Sequence, residues 1–388
     1  MKTNIRMVSL VGITVAVLLT LSGCDLAGLL GLGEPAITQE LSGTISEDTT
    51  LVADTGYAVT DDVTVNAALT IQEGVVLEFA SDTRFYIRDG SISAVGTESN
   101  PIIFRGQTAQ AGFWKGIQVN SSNITNTLEY VEVSHTGSSE LDGDKTAIMV
   151  EGFSQGALNV VNVTVSDAEG YGLVVQSDGS LRSFASNAFQ NIDGAPVKVD
   201  ATQAGELDAA STYTENTTNV VEVSGTLMDA DSTWVALSDD VPYRVLDDLT
   251  VDATLTIAAG ATVEFASAGI LIINSSGGVI DAQGTAADPI VFTGAEQVAG
   301  YWRGIEIESS AVTNVMDYVT VSYAGHPTGL GGDVAAIQLD GFPNAQLSLT
   351  NSTISNSDGD GVVVESGATL TANNNTYVDI AGTSVVNE

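Results

Sequence analysis

The sequence predicts an all-β protein, a parallel β-solenoid built from two long tandem repeats. One observation is a long duplication: NPIIFRGQTAQAGFWKGIQV (100–119) returns in the second half of the chain as DPIVFTGAEQVAGYWRGIEI (288–307). The other is a shorter period of about 23 residues inside each half, which is the size of one solenoid coil. Self-similarity on both scales indicates that the chain stacks many copies of one small unit.

The long duplication sets the domain boundaries. LTIQEGVVLEFAS (69–81) matches LTIAAGATVEFAS (255–267) at nearly the same offset. We therefore assign the first repeat to residues 42–223 and the second to residues 224–388, as one continuous solenoid. Residues 198–223 have no counterpart in the second repeat.

The short period predicts the strands and turns of each coil. NSTISNSDGDGVVV (351–364) realigns with NNTYVDIAGTSVV (374–386) one period later. Runs rich in Val, Ile and Thr alternate with Gly, Asn and Asp, a pattern typical of short strands joined by tight turns. We expect two or three strands per coil, with inward side chains buried against the coils on either side.

The N-terminus predicts secretion. Lys2 and Arg6 precede an apolar run that is too short to cross a bilayer, and residues 1–23 read as a signal peptide. Cys24 follows directly and is the only cysteine, which excludes an internal disulfide. The alternative interpretation of Cys24 is that it is a small apolar residue buried in the fold. Residues 24–41 are Gly-rich and then polar, and we expect a tether.

Several motifs together resemble bacterial right-handed parallel β-helix surface lipoproteins with a pectin-lyase-like fold. They are the Trp234 segment W-x(7)-P-Y-x-V, the LTI-x-x-G-x-x-x-EF strands, the G-T-x-x-x-P-I-x-F runs at Gly96 and Gly284, and G-[FY]-W-[KR]-G-I. The resemblance covers most of the chain after the signal and implies a right-handed coil. The first repeat departs from the pattern, since Leu51 and Gly56 stand near the positions of the Trp and Pro.

The same resemblance gives a meaning to the Leu-Ser-Gly-Cys ending of the signal, which is similar to a bacterial lipobox. It implies that Cys24 is lipidated and becomes the N-terminus after cleavage. Its acyl chains would hold the protein to a membrane of the cell envelope. We expect the outer membrane or the cell surface rather than the inner membrane.

Composition restricts the partners. Forty-nine Asp and Glu residues face 11 Lys and Arg, for a formal net charge of −38. Loss of Lys2 and Arg6 with the signal would leave 9 basic residues. Such charge disfavours nucleic acid and anionic membrane surfaces as partners. It fits either a solvated surface suited to a saline habitat or the binding of divalent cations.

Calcium is the cofactor that the acidic turns suggest. LDGDK supplies Asp142 and Asp144, and SDGDG supplies Asp358 and Asp360. Carboxylates are ligands that calcium prefers, although neither segment has the spacing of an EF-hand loop. The alternative interpretation is an ordinary Asp-Gly β-turn at each place.

Catalytic patterns are weak in this sequence. Basic residues are scarce, acidic pairs are too abundant to single out two of them, and the only histidines, His135 and His326, fall at non-equivalent positions of the repeats. A polysaccharide lyase would need a base beside the uronate that it deprotonates. The sequence therefore favours a protein without enzymatic activity.

One aromatic and cationic pair occurs in both halves, Trp114 with Lys115 and Trp302 with Arg303. An exposed indole beside a cation is a workable platform for a sugar, since the ring stacks on C–H groups. We treat these four residues as candidate ligand contacts. The alternative is that the indole packs inside the solenoid and the cation is its solvated neighbour.

The function expected from the sequence is that of a membrane-anchored envelope lipoprotein, non-enzymatic, which presents loops for binding or adhesion, with glycans as the ligand class. One alternative is a polysaccharide lyase that acts on an acidic polysaccharide with calcium. Another is a structural surface protein whose end coils stack end to end, because open solenoid ends expose strand edges.

Overall fold

The computed structural model describes residues 34–388, and Pro35 onward forms one compact unit. The expected signal peptide and the lipidation site at Cys24 lie outside the described residues. The first strand begins at Ile37, inside the segment expected to be a tether, and residues 37–41 pair with the next coil.

The strands of the first repeat are short and follow one another closely along the chain. In order they are β1 (Ile37–Ile45), β2 (Thr49–Leu51), β3 (Gly56–Val65), β4 (Ala68–Ile71), β5 (Val76–Phe79), β6 (Arg84–Ile87), β7 (Ser91–Val95), β8 (Ile102–Gly106), β9 (Gly116–Val119), β10 (Thr127–Glu129), β11 (Val131–Ser134), β12 (Thr146–Val150), β13 (Ala157–Val161), β14 (Thr164–Glu169), β15 (Tyr171–Val175), β16 (Ser180–Ala185), β17 (Ala188–Asp193), β18 (Val197–Asp200), the 3-10 helix η1 (Gln203–Glu206) and β19 (Thr212–Thr214).

The second repeat continues in the same manner. Its elements are β20 (Val221–Ser224), β21 (Leu227–Met228), β22 (Ser232–Trp234), the 3-10 helix η2 (Ser238–Asp240), β23 (Tyr243–Val245), β24 (Leu249–Val251), β25 (Thr254–Ile257), β26 (Thr262–Phe265), β27 (Ile270–Ile273), β28 (Val279–Gln283), β29 (Ile290–Gly294), β30 (Gly304–Ile307), β31 (Val315–Asp317), β32 (Val319–Ser322), β33 (Ala335–Leu339), β34 (Gln346–Thr350), β35 (Thr353–Ser357), β36 (Asp360–Val364), β37 (Thr369–Asn373), β38 (Thr376–Ile380) and β39 (Val385–Asn387).

Each coil contains three strand positions, and within each repeat the strands pair in parallel with the strands at the same position of the next coil. The coil β8, β9, β10, for example, pairs with β11, β12 and β13 in that order. A parallel connection that returns to the same edge after each turn makes a solenoid. The expected fold class, an all-β right-handed parallel β-helix in two tandem repeats, is confirmed.

Pairing in register places inward side chains in columns. One column runs through Phe104, Val133, Val165, Phe189 and Tyr213, each the ladder partner of the previous one and each fully buried. Alternation of side chains along a strand turns the residues between them outward. The apolar positions of successive coils therefore form one continuous core.

A left-handed bend towards the C-terminal end of the first-position strands, or directly after them, shows why Asn and Asp recur with the coil period. In the first repeat it holds His135, Asp167 and Asn191, and in the second it holds Tyr323, Asn356 and Asp379, all with φ between 51° and 67°. Asn and Asp tolerate this left-handed conformation better than most residues. The coil register deduced from the sequence is thus confirmed at these positions.

A second recurrent turn uses a buried asparagine. Asn126 donates from Nδ2 to the carbonyl oxygens of Ser121 (3.1 Å) and Ala157 (3.0 Å), and its Oδ1 accepts from the N–H of Ile92. Asn314 makes the same set of bonds in the second repeat. The amide satisfies backbone groups of three coils that burial would otherwise leave unpaired.

The unmatched residues 198–223 rotate the second repeat relative to the first. They contain η1, β19 and most of β20. β20 pairs with β18, a second-position strand, on one side and with β23, a first-position strand, on the other. First-position strands of the second repeat therefore continue the second-position column of the first, and this column has fourteen strands among residues 34–388.

The third-position column runs through the junction without such a change. η1 takes the place of a strand between β16 and β22. The side chain of Gln203 accepts from the N–H of Leu181 at 2.8 Å, and the Ser232 hydroxyl donates to the Thr202 carbonyl at 3.4 Å. Lys115 and Arg303 each precede a second-position strand, and because of the shift these two strands belong to different columns. Residues that precede third-position strands, by contrast, lie along one edge of the coil stack in both repeats.

A substitution of Gly205 tests the close contact between η1 and β22 at the junction of the repeats. A Cβ atom there would lie 2.4 Å from the hydroxyl of Ser232 and 3.0 Å from the N–H of Thr233. We expect Gly205→Val to lower the free energy of unfolding by about 1–3 kcal/mol, as other overpacked sites do. Urea denaturation measures this, and Ala209→Val, at an exposed position of the same segment, should change little. Equal stability of the two variants would contradict the close contact of η1 with β22.

Candidate functional site

Both candidate tryptophans lie inside the coil stack. Trp114 and Trp302 are fully buried. Each indole N–H donates to a serine carbonyl oxygen, at 2.7 Å for Ser134 and 2.8 Å for Ser322, and each ring stacks on a phenylalanine at centroid distances of 3.8 and 4.4 Å. No ring face is open to a sugar, so the expected indole platform is corrected, and the alternative of a packed indole holds.

The neighbouring cations are held at the coil surface. The ammonium of Lys115 lies 3.8 Å from a carboxylate oxygen of Asp82. Arg303 donates from Nε to the carbonyl oxygen of Ala268 at 3.0 Å and pairs through its guanidinium with Asp248. These contacts give both side chains a role in neutralising and joining neighbouring coils.

The remaining basic residues behave in the same way. Among residues 34–388, eight of the nine Lys and Arg side chains form ion pairs, each with a different carboxylate. Arg182 is the ninth. The pairs are surface contacts of modest energy that locally offset the acidic field.

The first expected calcium loop is a structural turn. Lys198 binds Asp144 at 3.1 Å, and the Asp142 carboxylate accepts from the amide of Gln176 at 2.9 Å. Leu141, at the start of this turn, is buried against the outer side of second-position strands. The turn therefore covers the coil surface, and its carboxylates already have protein partners.

The second expected loop has a similar character. Asp360 accepts from the N–H of Thr383, and Asp358 is exposed. Neither residue belongs to the group of three carboxylates whose oxygens converge among the described residues. The ordinary-turn interpretation fits both Asp-Gly segments.

That converging group lies on the second-position column of the second repeat. Glu306, Glu308 and Asp340 each offer a carboxylate oxygen, and these oxygens lie within 4.8 Å of one another. With Glu365, which follows the next strand, we call these four residues the acidic column. Glu306 is 8% exposed, which is unusual for a glutamate without a cation beside it.

Two carboxyl groups of the acidic column have raised pKa values. Burial, with the charges of Asp340 and Glu308, raises the pKa of Glu306 to about 7. Burial, with Glu365 and Glu308, raises the pKa of Asp340 to about 6. Both pKa values rise mainly because burial disfavours the ionised form, and the neighbouring ionised carboxylates raise them further.

Two exposed apolar pairs are duplicated in the repeats. Phe153 is 98% exposed and Phe342 is 91% exposed, at equivalent turns of the two repeats. The turn one coil earlier exposes Ile124 (63%) and Val312 (78%), respectively. We call Ile124 with Phe153, and Val312 with Phe342, the aromatic corners. Large apolar side chains at matched exposed sites are typical of binding surfaces.

The turns that carry the phenylalanines are fixed by hydrogen bonds. The N–H of Gly152 donates to the Gln176 side chain at 3.0 Å, and the N–H of Gly341 donates to Glu365 at 2.9 Å. A Cβ on Gly152 would lie 1.7 Å from the carbonyl oxygen of Ser177, so this close approach requires glycine. Each ring is therefore held outward by an ordered backbone.

Both aromatic corners lie on the same edge. Phe153 precedes β13 and Phe342 precedes β34, and both strands belong to the third-position column that η1 carries through the junction. Seven coil steps separate the two strands, which corresponds to about 34 Å along the stack. These corners are not among the site residues expected from the sequence, in which their signal is an aromatic residue at the same turn of both repeats.

The buried indoles give a direct test of their role. We expect Trp114→Ala to lower the free energy of unfolding by about 3–5 kcal/mol, because it removes a stacked core ring and leaves a serine carbonyl unpaired. Lys115→Ala should cost less than about 1 kcal/mol. Chemical denaturation compares the two variants, and an unchanged midpoint for Trp114→Ala would contradict the packing described above.

The family comparison agrees with the two-repeat architecture. A model described as a pectate-lyase like beta helix domain matches residues 43–147 and 230–336, one segment in each repeat and together more than half of the chain. No curated protein and no solved structure matches the chain. The chain belongs to the pectate-lyase-like beta helix domain family.

Proposed function

We propose that this protein is a non-enzymatic binding protein of the bacterial cell envelope, anchored by lipid at Cys24, which holds its ligand at the aromatic corners. The observation that carries this proposal is the near-complete exposure of Phe153 and Phe342 in ordered turns on one edge. Burying a phenyl ring in a complex gains roughly 1.5–3 kcal/mol. Two such rings supply anchors of the kind found at binding surfaces.

Glycans are the proposed ligand class. A phenyl face stacks on the C–H groups of a sugar ring, and each turn also exposes an amide that can bond hydroxyls, Gln155 in the first repeat and Asn344 in the second. The net charge of −38 favours a neutral or cationic glycan over an acidic one.

The envelope location is supported by the sequence alone, through the signal peptide and the Leu-Ser-Gly-Cys ending. Residues 34–388 contain no helix with the length and apolarity needed to cross a membrane. A lipid at Cys24 supplies an attachment that does not need such a helix.

The aromatic corners predict a loss of binding without a loss of stability. In the double variant Phe153→Ser/Phe342→Ser, signals on a glycan array should fall at least about tenfold, because both stacking rings are gone. The melting temperature should hold, since surface substitutions change stability by about 0.5 kcal/mol or less.

The matched control is Val52→Ser/Leu227→Ser, which removes two other exposed apolar side chains (57% and 47%) and should bind as the wild type does. Undiminished binding by the phenylalanine variant would remove the aromatic corners as the site. A wild-type chain that binds no glycan on the array would remove glycans as the ligand class.

Lipid anchoring is tested separately at Cys24. In a bacterial host with lipoprotein processing, Cys24→Ser should move the protein from the membrane fraction to the soluble fraction and abolish labelling by a clickable fatty acid. Cys24 is the only cysteine in the sequence, so no other thiol can take the lipid. Membrane recovery and labelling equal to those of the wild type would contradict the anchor.

A further inference from the structure

The acidic column contains a buried amide with an open acceptor. Gln338 is fully buried, and its Nε2 donates to Asp340 at 3.3 Å and to Glu365 at 2.9 Å. Its Oε1 is buried and has no hydrogen-bond partner among residues 34–388. An unpaired buried carbonyl costs about 1–3 kcal/mol, so a missing partner is expected there.

The same amide lies beside the converging carboxylates. Glu306 on β30 is the ladder partner of Gln338 on β33. The backbone of Gly331 covers both side chains: a Cβ built on Gly331 would lie 2.5 Å from Gln338 Nε2 and 3.0 Å from Glu306 Oε1. The loop at Gly331 thus covers Gln338 and Glu306, and Glu306 converges with Glu308 and Asp340.

The equivalent site of the first repeat has a different set of side chains, in which an arginine balances the carboxylate. Gln118 and Asn120 stand where the second repeat has Glu306 and Glu308, and both donate to a single carboxylate, Glu151. Arg84 completes the set by donating to the Gln118 oxygen at 2.9 Å. The carboxylate of Glu151 and the side-chain oxygen of Gln118 therefore have donors there, although Nε of Arg84 has no hydrogen-bond partner among residues 34–388.

In the second repeat the same site has lost its cation and gained negative charge. Ile270 replaces Arg84, Gln338 replaces Met149, and carboxylates replace the two amides. The nearest basic side chain that influences Glu306 is Arg303, which is already paired with Asp248. Four carboxylates therefore share a half-enclosed site whose equivalent in the first repeat has one carboxylate and an arginine.

We propose that the acidic column is a calcium site, in which oxygens of Glu306, Glu308 and Asp340 and the open Oε1 of Gln338 bind the ion. The donors are all oxygen, with no His or Cys among them, and calcium takes such carboxylate and amide oxygens in flexible arrangements. A divalent cation supplies the charge that the arginine supplies in the first repeat. This inference does not depend on the proposed glycan binding.

Calorimetric titration of the chelator-treated protein with CaCl2, in about 0.15 M NaCl to screen diffuse binding, tests the site. We expect saturable binding of one ion. Glu306→Gln/Glu308→Asn, which installs the pair of residues found in the first repeat, should weaken binding at least about tenfold, since affinity follows the number of charged ligands.

Two controls separate the site from general charge effects. Asp178→Asn/Asp358→Asn removes the same charge from exposed turns and should bind calcium as the wild type does. If the double variant folds poorly, the single variant Glu308→Asn replaces it, since this position is only half-buried, and it should also bind calcium more weakly than the wild type does. Equal weakening in the exposed-turn control, the absence of saturable binding by the wild type, or equally tight binding of Mg²⁺ would each overturn the assignment.

Stability supplies a second readout. The raised pKa of Glu306 means that the folded protein holds a proton that the unfolded chain releases, so without calcium the free energy of unfolding falls as pH rises from about 4.5 towards about 7. In chelator, Glu306→Gln/Glu308→Asn should melt above the wild type, with a gap that widens from pH 5 to about pH 7.

Saturating calcium should reverse that order, because an ion that binds only the folded wild type raises its melting temperature. Melting curves recorded with and without calcium at fixed ionic strength measure this reversal. If the wild type and the variant gain the same number of degrees, calcium acts elsewhere on the protein, and the proposal fails.

Discussion

Parallel pairing between successive coils is the constraint on which the rest of this structure depends. Each strand takes its position from the strand below, so a side chain at one position finds the same kind of environment in every coil. The inward column from Phe104 to Tyr213 and, within each repeat, the left-handed residues at equivalent places of successive coils are both results of that pairing. Outward positions carry no such requirement, and there the two repeats have diverged.

The sequence could reveal this internal order because burial and turn geometry repeat with the coil. It could not show where Trp114 points, since the G-[FY]-W-[KR]-G-I block fits both an exposed and a packed indole. The packed orientation follows from a serine carbonyl in the next coil that accepts the indole N–H. The length of the unmatched segment 198–223 was visible, but the replacement of a strand by η1, which shifts the columns, was not.

The acidic column was hidden for a different reason. Glu306 in β30 and Glu308 directly after it continue the outward alternation of the strand, and alternation normally indicates exposure to water. They are enclosed because the loop with Leu330 packs on Val363 and covers that side of the strands. The signal lay in the comparison of the repeats, where two amides have become two acids while the arginine has become Ile270. Loss of a cation and gain of anions at one place is more informative than the abundance of acidic residues.

If the aromatic corners bind a ligand as we propose, the continuity of the third-position edge decides which kind of ligand they would hold well. A short ligand reaches one aromatic corner and dissociates at the rate of a single weak contact. A polymer with repeating units spans the distance of about 34 Å between the corners, and after the first contact its second contact forms at a high effective concentration. Under the proposed binding, duplication of the repeat, with the segment 198–223 that keeps the third-position edge aligned, would convert two modest contacts into avidity for long chains.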